Sequence, residues 1–292
     1  VSIFGDEMRV AVVLFNSRSF AGLVGFFFVV IASLQNQGLA QMIVAHRGSS
    51  AQTPENTLAA FRLAWEHQAD AIEGDFYLSK DGQIVSLHDK TTGRTAGVDW
   101  DVRTQTLQQL RTLDVGKWKS EKFTGERIPT LEEVCQVIPS NKKLVLEIKD
   151  SARIVPVLKT KIESDPRLKA LSVSRLMIIS FDQQVVAQCK KQLPQVDAMW
   201  LTSFKKDSVT GSISPSIQEI LETLKRVNAD GLDCQAAEHI DADFVKQLRD
   251  AKYQFHVWTV DDPSVAQRFS ELGVDSITTN VPAQIRQAVT GE

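Results

Sequence analysis

A chain of 292 residues, 43% of them apolar and 24% charged, has the make-up of an ordinary globular protein and is long enough for one barrel-sized core or two small domains. Its 33 basic and 36 acidic side chains leave a net charge of −3, and no basic block is interleaved with aromatics, so nucleic acid is not an expected partner. Cys135, Cys189 and Cys234 stand far apart, without CxxC spacing or nearby histidines, which argues against a zinc site or redox dithiol and for small core residues.

The first forty residues differ from the rest. Arg9 and Arg18 precede an apolar run from Phe20 to Leu34 that ends in Gly38-Leu39-Ala40, with small residues where a signal peptidase cuts. Residues 1–40 therefore read as an export signal and residues 41–292 as the mature domain, periplasmic or secreted, beginning near Gln41. Asp6 and Glu7 are out of place in the positive region of a signal, which points to a start at Met8. The apolar run is shorter than the roughly 20 residues that span a bilayer, so no stable anchor is expected; an uncleaved, anchoring segment is the alternative.

From Met42 onward, short apolar or β-branched runs alternate with amphipathic stretches, the pattern of βα repeats and a parallel sheet. Strands are expected at Met42–Ala45, Ala71–Leu78, Leu144–Lys149, Leu176–Ser180, Ala198–Thr202, Gly231–Cys234, Phe255–Val260 and Ser276–Thr279. Helices are expected from Glu55, Thr130, Ala152, Gln183, Ser216, Ala242, Ser264 and Ala283, several opened by a Thr, Ser or Asp cap or a Pro. Eight such units in about 250 residues make a (β/α)8 TIM barrel. One connection is long: after the second strand, Lys80-Asp81-Gly82 signals a hairpin into Ile84–His88, and a Gly/Thr-rich insert follows over about 90–127. Long loops after barrel strands build the active-site face.

The unusual polar residues fall at strand ends. His46-Arg47 closes the first strand, and Glu73 and Asp75 lie two apart on the second, hence on one face. His88-Asp89 closes the hairpin strand, and Glu147 and Lys149 repeat the two-apart spacing on the third strand. Acids on an inward barrel face cost several kcal/mol each unless paired or bound to a cation. Glu73, Asp75 and Glu147 are hard oxygen donors suited to Mg²⁺, Ca²⁺ or Mn²⁺; ion pairing with Arg47 and Lys149 would satisfy them equally. His46 and His88 read as structural histidines taken singly, and as an acid/base pair taken with the acids beside them.

These strings resemble the glycerophosphodiester phosphodiesterases. The resemblance runs through Ile43-Val44-Ala45-His46-Arg47-Gly48, Pro54-Glu55-Asn56-Thr57, Glu73-Gly74-Asp75, Lys80-Asp81-Gly82 and Leu87-His88-Asp89. It continues through the stretch from Gly125 to Glu133, Leu146-Glu147-Ile148-Lys149, Ser180-Phe181-Asp182 and Val257-Trp258-Thr259-Val260, nearly the whole mature chain. It implies His46 and His88 as general acid and base, Glu73, Asp75 and Glu147 as ligands of a divalent cation, Mg²⁺ or Ca²⁺, and Arg47 and Lys149 as phosphate contacts. It further implies that Glu55 and Asn56 order the first loop of the substrate site and that Trp258 walls a glycerol pocket. Trp258 is by residue type just as well a core aromatic, and Phe181 and Trp200 read as barrel packing. Gly74 departs from the bulkier apolar residue usual in the family, a change expected to loosen packing and leave the ligands in register.

The implied reaction is metal-dependent hydrolysis of a small glycerophosphodiester to glycerol 3-phosphate and an alcohol, with the substrate's neighbouring hydroxyl as attacker. The alternative enzyme is a lysophospholipase D-type lipid phosphodiesterase, whose acyl channel Trp100, Trp118 and Phe123 of the insert could line. A catalytically silent binding module on the same fold is the third reading. The sequence does not reveal an oligomeric state.

Overall fold

Each βα repeat becomes a parallel strand with a following helix in the computed structural model, which describes residues 41–291. The export signal expected over residues 1–40 lies outside the described residues. The barrel strands are Met42–Ala45 (β1), Ala71–Leu78 (β2), Lys143–Ile148 (β3), Leu176–Ser180 (β4), Asp197–Thr202 (β5), Gly231–Gln235 (β6), Gln254–Trp258 (β7) and Ser276–Thr279 (β8). Every strand pairs in parallel with its neighbour, and β8 returns to β1 in a register running from Met42↔Ser276 to Ala45↔Thr279. The sheet thus closes into a (β/α)8 barrel with no exposed edge among the eight.

Alternation along the strands divides the core. Val44, Val145, Met177, Ile179, Met199 and Leu201 pack inside the barrel, while Ile43, Ile72, Leu144 and Ile178 join helix residues such as Phe61, Leu158 and Phe269 outside it. Burying each such side chain contributes roughly 1.5–3 kcal/mol, so these layers provide the rigid frame against which a few buried acids can be held. Among the described residues no helix is long and apolar enough to cross a membrane.

The differences from expectation have local causes. The helix expected from Glu55 spans Leu58–Glu66, because Asn56 takes a left-handed conformation and Thr57 caps the helix by accepting from Ala60 N–H. The helix expected from Ala152 spans Ile154–Ser164, and a second helix, Pro166–Ser172, follows it where Asp165 caps a proline-led turn. The strand expected over Phe255–Val260 is Gln254–Trp258, and a small hairpin of Lys205–Lys206 with Ile213–Ser214 follows β5. The insert is entered through the predicted hairpin: Ile84–Ser86, shorter than the expected Ile84–His88, runs antiparallel to β2, and Gly82 supplies the positive φ of the turn. It then winds through helical turns Gly93–Ala96 and Leu107–Leu110 over its own apolar cluster, which includes Tyr77, Val85, Val102, Leu110 and Ile128. At Gly74 the expectation of looser packing is corrected. A Cβ there would meet Phe61 at 3.2 Å and Phe76 at 3.3 Å, so those two rings already occupy the space.

Candidate active site

The site starts with an unusual turn after β1. Arg47 and Gly48 both have positive φ, 55° and 82°, and a Cβ on Gly48 would lie 2.5 Å from the Ala60 backbone, so only glycine fits there. The turn aims the Arg47 N–H at Glu73 Oε2, 2.9 Å away. Asn56, also left-handed at φ 58°, donates from Nδ2 to Asp75 Oδ2 at 2.7 Å, and its Oδ1 accepts from Asp75 N–H and Ser86 Oγ, each at 3.0 Å. Asp75 is thereby held in one orientation by the first loop.

Glu73, Asp75 and Glu147 converge at the end of the barrel where the strands terminate, each offering a carboxylate oxygen within 4.8 Å of the others. Ion pairing accounts for part of the cluster: Lys149 Nζ lies 2.9 Å from Glu147 Oε1 and 3.7 Å from Asp75 Oδ1, and Arg47 Nε lies 3.3 Å from Asp75 Oδ2. It does not exhaust it, because Glu73 Oε1 and Asp75 Oδ1 are buried with no hydrogen-bond partner. Burial, then the charges of Asp75 and Glu147, drive the Glu73 carboxyl well above the usual range. Glu147 is pushed from 4.5 to about 7 by burial and by Asp75, which together outweigh the attraction of Lys149. Three acids share two cations here, and Arg47 is divided further with Glu55 at 3.0 Å. The unpartnered oxygens and the hard donor set fit a divalent cation.

The two histidines are held differently. Asp261 Oδ2 accepts from Asn280 Nδ2 at 2.6 Å, which turns Asn280 Oδ1 toward Ser50 Oγ at 2.7 Å and His46 Nδ1 at 2.8 Å. With an acceptor on Nδ1, His46 carries its proton there and leaves Nε2 bare. Burial, and next the Arg47 guanidinium, lower its pKa from 6.5 to about 4, so the ring is neutral at pH 7. His88 Nδ1 lies 2.7 Å from Asp89 Oδ1, and its Nε2 lies 3.3 Å from Lys149 Nζ. Asp89 is half-buried at some cost, yet hydrogen bonds from Arg94 and His88 hold its carboxyl below the usual range.

These residues surround a cavity of about 190 Å³ lined by His46, Arg47, Glu73, His88, Glu147 and Lys149 on one side and by Ile179, Phe181, Leu201, Asp233, Trp258 and Thr278 on the other. Asp75, Glu55 and Asn56 do not line it; they stand behind the residues that do, with Glu55 joining Arg47 to Arg94 of the insert at 2.7 Å. Trp258 both lines the cavity and packs on the barrel interior, and its Nε1 donates to the Asp233 carbonyl at 3.3 Å. Phe181 corrects its expected role as packing. It is 45% exposed at the mouth, edge-on to Trp258 at 5.6 Å, whereas Trp200 is in the core as expected.

Sequence reading missed Asp233, although an acid inside a short apolar strand was a signal of the kind that marked Glu73. It also missed Asn280, Asp261 and Arg94, polar loop residues whose pairing crosses long sequence separations.

Comparison with known proteins adds a relationship to this geometry. The model of the glycerophosphoryl diester phosphodiesterase family matches residues 46–284. A glycerophosphodiester phosphodiesterase of Caldanaerobacter subterraneus subsp. tengcongensis is 34% identical over 246 residues, covering 82% of this chain and 94% of that protein. One of Bacillus subtilis is 27% identical, covering 89% of this chain and 92% of its own length. Among solved structures, an Oleispira antarctica phosphodiesterase in complex with the product sn-glycerol-3-phosphate matches with a TM-score of 0.71 at 28% identity, covering 86% of this chain and 97% of that one. A glycerophosphodiester phosphodiesterase of Thermotoga maritima matches with a TM-score of 0.64 at 25% identity, covering 83% and 96%.

Proposed function

The chain belongs to the glycerophosphoryl diester phosphodiesterase family, and from that premise we propose that it hydrolyses small glycerophosphodiesters to glycerol 3-phosphate and an alcohol, using Mg²⁺ or Ca²⁺ and the His46/His88 pair. The observation that carries this reading is the meeting, around one cavity, of a three-carboxylate cluster with unpartnered oxygens, two cationic side chains and two histidines each held through Nδ1 by a side-chain oxygen.

A divalent cation held by Glu73, Asp75 and Glu147 would offset the negative charge that a phosphodiester presents to an attacking oxygen. Arg47 and Lys149 stand ready to donate to the phosphoryl oxygens, and their own acid partners fix them in place. His46, neutral and with Nε2 bare, is suited to take the proton of the attacking hydroxyl. His88, with Asp89 on its far nitrogen, is suited to deliver a proton to the departing alkoxide. Phe181 and Trp258 exclude water from one side.

The small diester is favoured over the lysophospholipid by the cavity itself. None of Trp100, Trp118 and Phe123 lines it, and Trp118 instead packs beneath Arg94 and Lys119. Among the described residues, these aromatics therefore give an acyl chain no apolar wall in the cavity that would repay its burial at about 0.8 kcal/mol per methylene. Assayed with Mg²⁺ and with Ca²⁺, the purified chain should cleave glycerophosphocholine and glycerophosphoethanolamine in preference to lysophosphatidylcholine, and chelation should abolish turnover. Faster cleavage of the lysophospholipid would replace this reading with the lipid one, and activity that survives chelation would remove the cation.

Export is the second part of the proposal. Its support is the charged-then-apolar leader ending in Gly38-Leu39-Ala40. Amino-terminal sequencing of the protein from its own cell is expected to begin near Gln41, outside the cytoplasm; an intact cytosolic chain would overturn it.

A further inference from the structure

Asp233 is the acid in the cavity that the chemistry above does not use. It lies on β6, only 2% exposed, on the side otherwise formed by Ile179, Leu201 and Trp258. Its Oδ1 is buried without a partner, and among the described residues no hydrogen bond or ion pair reaches the carboxyl. Nothing in the fold offsets its burial, which removes the reading of a structural ion pair, and a carboxyl left in that state costs stability. Such a cost persists where a ligand supplies the missing partner.

The cavity has two ends. Phe181, 45% exposed, marks the mouth, whereas Asp233, Leu201, Ile179 and Thr278 are buried, as Glu73 is, and line the closed part of the cavity. A head-group alcohol of variable size needs the open end. The glyceryl part, constant among the substrates, then points inward with hydroxyl groups that must donate to an acceptor. Arg47 and Lys149 are donors only, His46 takes the hydroxyl that attacks, and Glu73 and Glu147 are given to the cation, so the remaining hydroxyl needs a further acceptor. We propose that Asp233 is a specificity-determining residue that accepts a hydrogen bond from a hydroxyl of the glyceryl moiety at the closed end of the cavity. The inference rests on the glycerophosphodiester reading of the site, and it separates this role from cation binding, which belongs to the cluster across the cavity.

The test compares binding of glycerol 3-phosphate and propyl phosphate by calorimetry, with Mg²⁺ present, to the wild type, Asp233→Leu and Asp233→Asn. The wild type should prefer glycerol 3-phosphate, and Asp233→Leu should cut that preference by roughly 3- to 10-fold, the value of a hydrogen bond to an uncharged carboxyl, since burial and the charge of Glu147 hold the Asp233 carboxyl well above the usual range. Propyl phosphate binding should change little. Asp233→Asn, which keeps an acceptor oxygen, should retain part of the preference. The Leu variant should melt at or above the wild-type temperature, since it removes an unpartnered buried carboxyl; a merely structural aspartate predicts the reverse. An unchanged preference, or a lowered melting temperature with both ligands weakened alike, overturns the inference. So does a change confined to the choice between choline and ethanolamine diesters, which would assign Asp233 to the head group. Wild-type turnover of glycerophosphocholine is measured alongside: its absence would refute the proposed reaction, while the binding ratio still decides the role of Asp233.

Discussion

Replacing His46 or His88 with Ala is expected to lower kcat on glycerophosphocholine by roughly 10²–10⁴-fold, the range for loss of a positioned general acid or base. KM should move far less, because Arg47 and Lys149 remain to hold the phosphoryl group. The double variant should be little worse than either single one, since a proton taken by one histidine and a proton given by the other serve the same displacement. The two sites should nonetheless differ in their dependence on neighbours. His46 owes its tautomer to the chain from Asp261 through Asn280, so Asn280→Ala should reproduce part of the His46 defect as a fall in kcat with KM retained. His88 owes its orientation to Asp89, so Asp89→Asn should weaken the acid side instead. Wild-type turnover in either His→Ala variant would exclude that residue from the proton transfers.

Most of the frame that makes such a test meaningful was legible in the chain. Strand alternation located β1, β2, β4 and β8 to the residue, because buried parallel strands read as short apolar runs with sharp polar ends. The two-apart spacing of Glu73 and Asp75, and of Glu147 and Lys149, was likewise legible, since period 2 fixes which side chains share a face. What sequence could not supply was the direction of loops. Arg47 occupies a left-handed conformation that its residue type does not advertise, and Asn56, whose type tolerates that conformation, adopts it without any local turn signal; those two turns decide that Glu73 accepts a backbone N–H and that Asp75 is clamped. Phe181 was misread because an aromatic after an apolar strand looks like packing whether it folds inward or out to the mouth. Asp233 was overlooked because it stands alone, with no companion at i+2 to raise the cost of its burial into view.

The carboxylate cluster should show opposite signs in stability and in function. In the cation-free protein Glu147 binds its proton with a pKa of about 7, against an ordinary 4.5, and Glu73 is raised as well. Between those values the folded chain holds more protons than the unfolded one, so cation-free stability should fall as pH rises through that window. For Glu147 the loss is on the order of 3 kcal/mol when the window has been crossed. Added cation should reverse the trend, because it binds the ionised form: its affinity should rise with pH up to about pH 7, with release of a proton measurable by calorimetry in buffers of different ionisation enthalpy. Glu73→Gln keeps an oxygen that can accept the Arg47 N–H but removes a charge that has no cation of its own. In the cation-free state at pH 8 the variant should therefore melt above the wild type, and Glu147→Gln should flatten the fall with pH. Both should bind cation weakly, lose the stabilisation it confers, and turn over glycerophosphocholine at no more than roughly 10⁻² of the wild-type rate, as expected when a positioned source of transition-state charge stabilisation is removed. A structural ion-pair cluster predicts the contrary result: Gln variants that melt lower at every pH, bind cation no differently and keep their activity. That outcome would return the three acids to the role of partners for Arg47 and Lys149.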